Sequence, residues 1–390
     1  MIPFDDALYH VLHAEIKKTT ERIAFTDAVG FVLAEDIFSD VDMPPFDKSA
    51  MDGYACISTG LKAPMEEIEI IPAGKIPENK VVPGTCARIM TGAMIPRGAD
   101  CVVRVEDTHR NGNQVIYTGT GTSDNICRQG EDIVSGALVL QKDALLNPQH
   151  IAILASVGAI KPLVYSKPSV AVISTGDELV EPNRVPETGQ IRNSNGSQLI
   201  SQIKQAGAIP WYMGIAPDTP EGLQLIIADA LKKAQVILLT GGVSMGDYDY
   251  VPQVLTEFDA QIIFQSIAVQ PGRPTLFAIR NHQFFFGLPG NPVSSFVQFE
   301  LLVRPLLSRL SGYSVQPCVR KARLTTDYFR KNSRRMAIVP VHITENDEVT
   351  PVEYHGSAHI HAYVSANGMM LVEIGISSLK QGELVDVRQI

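Results

Sequence analysis

The sequence predicts an α/β multidomain protein: a parallel α/β domain, an inserted all-β module, a helical linker domain and a small C-terminal β-barrel. Three observations predict it. Between about 167 and 312, buried apolar runs alternate with helix-period patterns, the signature of a parallel sheet flanked by helices. Between 46 and 130 there is no convincing helix, and short β-type runs alternate with glycine and proline turns. From 317 to 390 β-type runs return, as in Glu383-Leu384-Val385-Asp386-Val387-Arg388.

Composition bounds the function. A chain of 390 residues holds two to four domains at roughly 100–200 residues each. Its 45% hydrophobic and 19% charged content is that of a folded globular protein. The net charge of −9 speaks against a nucleic-acid partner. An anionic substrate must therefore meet a local basic pocket. The 5 cysteines show no paired metal spacing and read as reduced thiols. Asp5 and Asp6 stand where a signal peptide needs an apolar run, and no stretch approaches the ~20 apolar residues of a membrane helix. A cytoplasmic protein without a membrane partner is expected.

In chain order, Phe4, Leu8, Val11, Leu12 and Ile16 recur at helical spacing. A short apolar pattern from Val29 to Leu33 follows, and Pro44-Pro45 marks a boundary. Ile68 to Ile71, Cys101 to Val105 and Gln114 to Tyr117 are β-type runs of the 46–130 module. Asp47 to Ala55 reads as polar groups around a small-residue bend, as does Arg88 to Ala93. Asn147 and Pro148 start a helix that Gly158 ends, with Ile151, Leu154 and Ala155 on its buried face. This helix is expected to pack with the N-terminal one, so that 1–45 and 131–166 form one helical domain around the insertion.

From Lys167 the α/β pattern runs to 312. Val170 to Ile173 is a buried strand, Asn195 to Ala206 a helix ended by Gly207, and 209–215 a strand. Thr219-Pro220 starts a helix with Leu223, Ile227 and Leu231 on one face. Val236 to Leu239 is the next buried strand. A hairpin at Asn281-His282 follows; Asn291 caps and Pro292 opens a long helix to about Leu310, bent by Pro305. The last domain spans 317–390.

The chemistry centres on Thr240-Gly241-Gly242-Val243-Ser244-Met245-Gly246-Asp247-Tyr248-Asp249-Tyr250. A buried strand precedes it and a helical pattern follows, an arrangement that aims backbone N–H groups at an anion. Gly241 and Gly242 let the backbone approach a ligand, and Ser244 adds a hydroxyl. Bare carboxylates repel a phosphate by roughly 4 kcal/mol at ~4 Å and an effective dielectric near 20. The aspartates therefore read as holding a divalent cation that in turn holds the phosphate. Glu178, just past another strand end, should face the same crevice as Asp249.

The motifs Phe46 to Ala55, Met90 to Ala93, Gly130 to Ile133, Ser174 to Leu179, Gly241 to Ser244, Pro271 to Pro274 and Leu288 to Ser294 occur in one order along nearly the whole chain. Together they resemble the molybdopterin molybdenumtransferases, the MoeA-type molybdenum insertases related to the E domain of gephyrin. The resemblance implies a molybdopterin-binding-like α/β domain. It implies that adenylylated molybdopterin and molybdate yield molybdenum cofactor and AMP, with Mg2+ assisting. It also implies an elongated homodimer, with a molybdopterin adenylyltransferase upstream and molybdoenzymes downstream. Since the substrate's dithiolene sulfurs bind the metal, no CxxC site is needed.

By the same resemblance Asp249, Glu178, Asp52 and Asp132 carry the catalytic work, with Asp249 and Glu178 the magnesium candidates. Thr91, Ser244, Gly241, Gly242, Asp218, Gln270, Pro271, Arg273 and Ser357 would bind substrate, with Asp52 and Thr91 serving the partner's cleft across the dimer. Plainer readings stand beside these. Asp218 could simply start a helix, Thr91 and Ser357 could be turn hydroxyls, and Asp132 a strand-edge charge.

The chain departs from the family pattern at Ser266 and Gln270, where many members are basic, at Pro340, where an arginine is common, and at Asn193, where an acid is common. Arg273, Arg334, Arg335, His359 and His361 are candidates to restore the missing charge, the two histidines reading more simply as packed or solvated. A tungstate-preferring relative and a non-catalytic dimeric scaffold are the alternatives.

Overall fold

The computed structural model describes residues 1–242, 250–313 and 319–390 of the chain. They form two compact units, one of Met1–Glu21, Gly30–Ala34 and Leu163–Ile390, the other of Arg22–Val29 and Glu35–Pro162.

The first unit is built on a six-stranded sheet in the order Ile209–Ala216, Ser169–Thr175, Val236–Thr240, Gln283–Leu288, Leu276–Arg280, Gln261–Phe264. The first four strands are parallel. Leu276–Arg280 alone runs against the others, pairing antiparallel with both Gln283–Leu288 and Gln261–Phe264, so the sheet is mixed rather than purely parallel; the hairpin at Asn281-His282 reverses the chain. Strand periodicity divides the core. Val170, Val172, Val236, Leu238, Phe284 and Phe286 face one apolar layer with Leu199 and Ile203 of the helix Ser194–Gln205. Ala171, Ile173, Ile237, Leu239 and Phe285 face the other, under Leu223 and Ile227 of Pro220–Lys233 and Val254 of Val251–Glu257.

The N-terminal helix, Phe4–His13, buries Ala7 and Val11 in the first of these layers. Arg309 Nη1 donates to the carbonyls of Val11 and Ala14 at 3.3 and 3.2 Å. The expected partnership with the helix Pro148–Ser156 is therefore corrected: the two helices belong to different units. Ala7 and Val11 fit Phe4–His13 against the α/β layer, where their apolar surface leaves water.

The stretch from Pro292 to Leu310 is not one helix simply bent at Pro305. Pro292–Gln298 and Arg304–Leu310 are α-helical, and Phe299–Val303 between them is a π-helical turn. Pro305 lacks an N–H and its ring would strike the carbonyl four residues back, on Leu301, which lies inside that turn.

Five strands close a barrel at the C-terminus: Met336–Ile343, Glu348–Pro351, Val319–Leu324, Leu384–Gln389 and Gly368–Val372, which pairs again with the first. Val269–Gln270 joins its edge in parallel with Met336 and Ala337, so the segment before Pro271 is fixed to the barrel wall.

The second unit contains a six-stranded sheet ordered Cys101–Arg104, Gly53–Cys56, Thr85–Ile89, Met65–Ile71, Gln114–Tyr117, Thr108–Asn111. Gly53–Cys56 lies inside the sheet and is buried throughout, although its sequence reads as the end of a bend. A Cβ on Gly53 would lie 2.0 Å from the Val103 carbonyl oxygen, so the close strand approach requires glycine there.

Candidate functional site

The parallel strands place their carboxyl ends along one edge of the sheet. Ser174 pairs with Thr240, Thr175 with Ala216, and Thr240 with Leu288. The loops leaving these strands carry Gly176 to Glu178, Asp218, Gly241 with Gly242, and Gly290 with Asn291. They enclose a cavity of about 770 Å³ whose wall includes Glu178, Asp218, Gly241 and Gly242. Four of the sequence-predicted residues thus converge. Asp249 and Ser244 lie outside the described residues.

Gly241 has φ +94°, and a Cβ there would lie 2.5 Å from the Thr175 carbonyl oxygen. The glycine therefore lets two strand ends close together at the cavity rim. Thr175 Oγ1 and Asn195 Oδ1 are buried at the same wall with no hydrogen-bond partner among the described residues. Asn195 Nδ2 donates to Thr240 Oγ1 at 2.9 Å and to the Gly290 carbonyl at 2.7 Å, tying a helix start to a strand end and the next strand's loop. Thr175 is quoted only as part of the Ser174 to Leu179 motif and Asn195 only as a helix start, and neither is assigned to the site from the sequence, since burial of a polar residue is a tertiary property.

Asn193 has a definite task. Its Oδ1 accepts from Ser174 Oγ at 3.1 Å and from the Gly196 N–H at 3.0 Å, capping the helix Ser194–Gln205. Its Nδ2 donates to the Tyr212 hydroxyl at 2.9 Å, and that hydroxyl donates to Glu181 Oε1 at 2.8 Å. A carboxylate could not make the donation to Tyr212. Burial, then the bond to Glu181, pushes the Tyr212 hydroxyl pKa well up.

A second recess, of about 360 Å³, adjoins the first, sharing Pro274, Pro289 and Asn291 with it. Its wall brings together Gln270, Pro271, Arg273 and Ser357 with Arg335. Asn291 is the residue before the helix Pro292–Gln298 but makes no side-chain cap. Its Nδ2 donates instead to Ser357 Oγ at 2.9 Å, while the Val293 N–H donates to the Ser357 carbonyl at 3.1 Å. The expectation that the Asn291 side chain caps is corrected accordingly, because the amide is engaged across the recess.

Arg335 Nη2 donates to Gln270 Oε1 at 3.4 Å. Pro340 is buried in the barrel strand opposite Met369, and its carbonyl accepts from the Val352 N–H at 2.9 Å. His359 and His361 line a different recess, with His355 and Glu353. Among the described residues no three His, Cys, Asp or Glu side chains gather as a metal-binding set.

Asp52, Thr91 and Asp132 belong to the second compact unit. Asp52 Oδ1 accepts from the Thr91 N–H at 2.7 Å and from its hydroxyl at 2.9 Å. These two bonds, with Arg88 nearby, hold the carboxyl below the usual aspartate range. Asp132 is exposed, and its N–H donates to the Met43 carbonyl at 3.0 Å.

Comparison with known proteins follows the architecture. The family model described as MoeA N-terminal region (domain I and II) matches residues 2–158. The probable molybdopterin binding domain matches 171–309, and the MoeA C-terminal region (domain IV) matches 321–390. A molybdopterin molybdenumtransferase of Staphylococcus aureus (strain MRSA252) is 33% identical over 398 residues, covering 99% of this chain and 95% of the relative. That of Bacillus subtilis (strain 168) is 35% identical over 401 residues, covering 99% and 93%. The solved structure of the molybdopterin biosynthesis MoeA protein from Pyrococcus horikosii superposes with a TM-score of 0.86 at 33% identity, covering 100% of this chain and 99% of that one.

Proposed function

The chain belongs to the molybdopterin molybdenumtransferase family, transferases of molybdenum cofactor biosynthesis, and on that premise we propose that it is a molybdenum insertase. It takes adenylylated molybdopterin and molybdate and releases AMP and molybdenum cofactor, with Mg2+ assisting. The observation that carries this reading is the pair of adjoining recesses. One, at the strand ends, is edged by the Gly241–Gly242 turn and the carboxylates of Glu178 and Asp218. The other is lined by Gln270, Ser357 and two arginines. A nucleotide and an oxyanion can thus be held side by side.

In this reading the glycine turn and the elements tied by Asn195 receive the pterin nucleotide. Glu178 and Asp218 face the phosphoanhydride, where Mg2+ would screen the phosphate charge from them, and Asp249 keeps the catalytic part the family resemblance implies. Mg2+ commonly binds through one or two carboxylates plus substrate phosphates and water, so a protein cage of three ligands is not required. Two buried oxygens without partners among the described residues, Thr175 Oγ1 and Asn195 Oδ1, offer hard donors at the same wall and fit such a hydrated cation or its waters. Ser357, oriented by Asn291, and Gln270 and Pro271 contact the oxyanion. A cytoplasmic homodimer, in which Asp52, Thr91 and Asp132 serve the partner's cleft, belongs to the same reading. So does a chain of transfer from a molybdopterin adenylyltransferase to molybdoenzymes.

The test is turnover of adenylylated molybdopterin with Mg2+, with and without molybdate, read by mass spectrometry of AMP and metal-bound pterin. Molybdate-dependent AMP release that Asp249→Ala loses is the expected result. Binding without release, with tungstate silent as well, would leave only a scaffold.

A further inference from the structure

One loop, residues 176–193, supplies much of the wall of the large cavity: Gly176, Glu178, Leu179, Ile191, Arg192 and Asn193 all belong to it. Its two limbs are bonded to each other. Leu179–Val180 pairs in parallel with Ile191–Arg192. The Glu178 carbonyl accepts from the Ile191 N–H at 2.8 Å, and the Val180 carbonyl from the Asn193 N–H at 2.9 Å. Arg192 Nε donates to the Arg184 carbonyl at 2.9 Å. A Cβ on Gly176 would lie 2.6 Å from Glu178 Oε2, so the Glu178 carboxylate folds back into the room that the glycine leaves. These internal bonds shape the loop, but they do not fix where it stands on the sheet.

A chain of side chains does that. Tyr212 stands on the edge strand Ile209–Ala216, opposite Val172, and its ring packs beside Gly196, with Cε2 3.1 Å from the place of an added Cβ. Asn193 is buried, and its Oδ1 is taken by Ser174 Oγ and the Gly196 N–H. Its Nδ2 is thereby turned to the Tyr212 hydroxyl, to which it donates at 2.9 Å. A hydroxyl has a single hydrogen, and with a donor on its lone pair that hydrogen is aimed at Glu181 Oε1, 2.8 Å away. The acceptor is a carboxylate, which strengthens the bond. Glu181 lies three residues beyond Glu178, and neither Glu181 nor Tyr212 belongs to the cavity wall. A longer bond, from the Asp218 N–H to Asp177 Oδ1 at 3.4 Å, meets the loop at its first limb.

We infer that Tyr212 is a positioning residue: through Glu181 it fastens the loop 176–193 to the sheet edge and so holds Glu178 at the cavity. It does this without touching substrate. The inference rests on the reading of Glu178 as a carboxylate that faces the phosphoanhydride, and it deepens that reading by naming what keeps the group in place. Asn193 directs the hydroxyl, Tyr212 carries the bond across, and Glu181 receives it on the loop. A carboxylate on a loosened loop spends less time in the geometry that its task requires, which lowers its effect without removing its charge.

The experiment is amide hydrogen exchange of the full-length chain, read by mass spectrometry over peptides that cover 176–193. Tyr212→Phe keeps the ring and removes the hydroxyl, Glu181→Ala removes the acceptor, and Glu181→Gln keeps an oxygen in its place. The first two are expected to speed exchange of the Leu179, Ile191 and Asn193 amides about three- to tenfold, the scale of one net hydrogen bond. Glu181→Gln should stay close to wild type, and the central strand Val236–Thr240 should exchange alike in all, which shows that the fold is intact. Unchanged loop exchange in both Tyr212→Phe and Glu181→Ala overturns the fastening. Mg2+ titration of AMP release then reads the carboxylate. Tyr212→Phe should raise the Mg2+ needed for half-maximal release about three- to tenfold, and should add nothing further in a Glu178→Gln background. A lower kcat with the Mg2+ requirement unchanged, or an equal shift in the Glu178→Gln background, overturns the positioning of Glu178. Turnover by the wild type with unaltered loop exchange in the variants sinks this inference alone. Faster loop exchange in the variants with no AMP release by the wild type upholds the fastening and sinks the insertase.

Discussion

Asn291 Nδ2 donates to Ser357 Oγ at 2.9 Å, joining a loop of the α/β sheet to the segment that leaves the C-terminal barrel. The two residues are 66 positions apart, and their contact sets one wall of the recess assigned to the oxyanion.

Asn291→Ala removes that donor and frees the Ser357 hydroxyl. The expected result is a rise in KM for molybdate of about three- to tenfold with kcat little changed, the ~0.5–1.5 kcal/mol of one net hydrogen bond. Steady-state AMP release at varied molybdate measures it. Ser357→Ala should do the same, and the double variant should cost less than the sum; strict additivity would show that the two do not act as a unit.

Gly241→Ala combines an unfavourable φ with a collision against Thr175. It should destabilise the first unit by about 1–3 kcal/mol, the cost of a strained backbone position. Gly207 makes the comparison. Its φ is also positive, at +77°, but nothing lies within 4 Å of an added Cβ. Gly207→Ala should cost no more than about 1 kcal/mol. Urea unfolding of the two variants checks the difference, which the contact with Thr175 alone supplies.

Glu178 and Asp218 share the large cavity, so each neutral variant removes a unit of negative charge from its wall. At an effective dielectric near 20 a unit charge ~4 Å from another is worth roughly 4 kcal/mol. Glu178→Gln and Asp218→Asn should each raise the Mg2+ concentration for half-maximal AMP release by at least about tenfold, since exposure screens much of that interaction. Titration of turnover with Mg2+ reads this directly, and an unchanged requirement in both would remove them from the cation's surroundings.

Asp52 gives a pH dependence. Its carboxyl is held below the ordinary value by the Thr91 N–H first and the Thr91 hydroxyl second. A depressed folded pKa means that the stabilising contribution is present above the unfolded value of 3.8 and fades as pH falls through the lower folded value. Thr91→Val keeps the N–H and loses the hydroxyl, so the Asp52 pKa should rise part of the way back. A carbon-detected NMR titration of the Asp52 carboxyl follows it; no movement on substitution would show that the hydroxyl bond contributes nothing in solution.

Local pattern was legible because its causes are local. The continuous apolar runs Val170 to Ile173 and Val236 to Leu239 announce strands buried on both faces, and Thr219-Pro220 announces a helix start that the structure retains, with Thr219 accepting from the Gly222 N–H. Glycines at Gly241 and Gly242 mark a turn because positive φ is nearly barred to other residues. The expectation of no convincing helix in 46–130 likewise holds, only the 3-10 turns Ser58–Gly60 and Val105–Asp107 occurring there, since short runs between Gly and Pro cannot propagate a helix.

The order of motifs and the periods of apolar residues determined, by the sequence alone, the family, the mixed architecture and the residues Glu178, Asp218, Gly241 and Gly242 that meet in one cavity. Only the tertiary structure decided that Gly53 lies inside a sheet, that Phe4–His13 covers the α/β layer, and that Asn291 reaches Ser357 rather than capping a helix. It also brought Arg273 beside Arg334 and Arg335. Secondary structure follows from neighbours two to four positions apart, whereas these contacts join segments tens or hundreds of residues distant. They exist only once the sheet has ordered its strands and the barrel has closed.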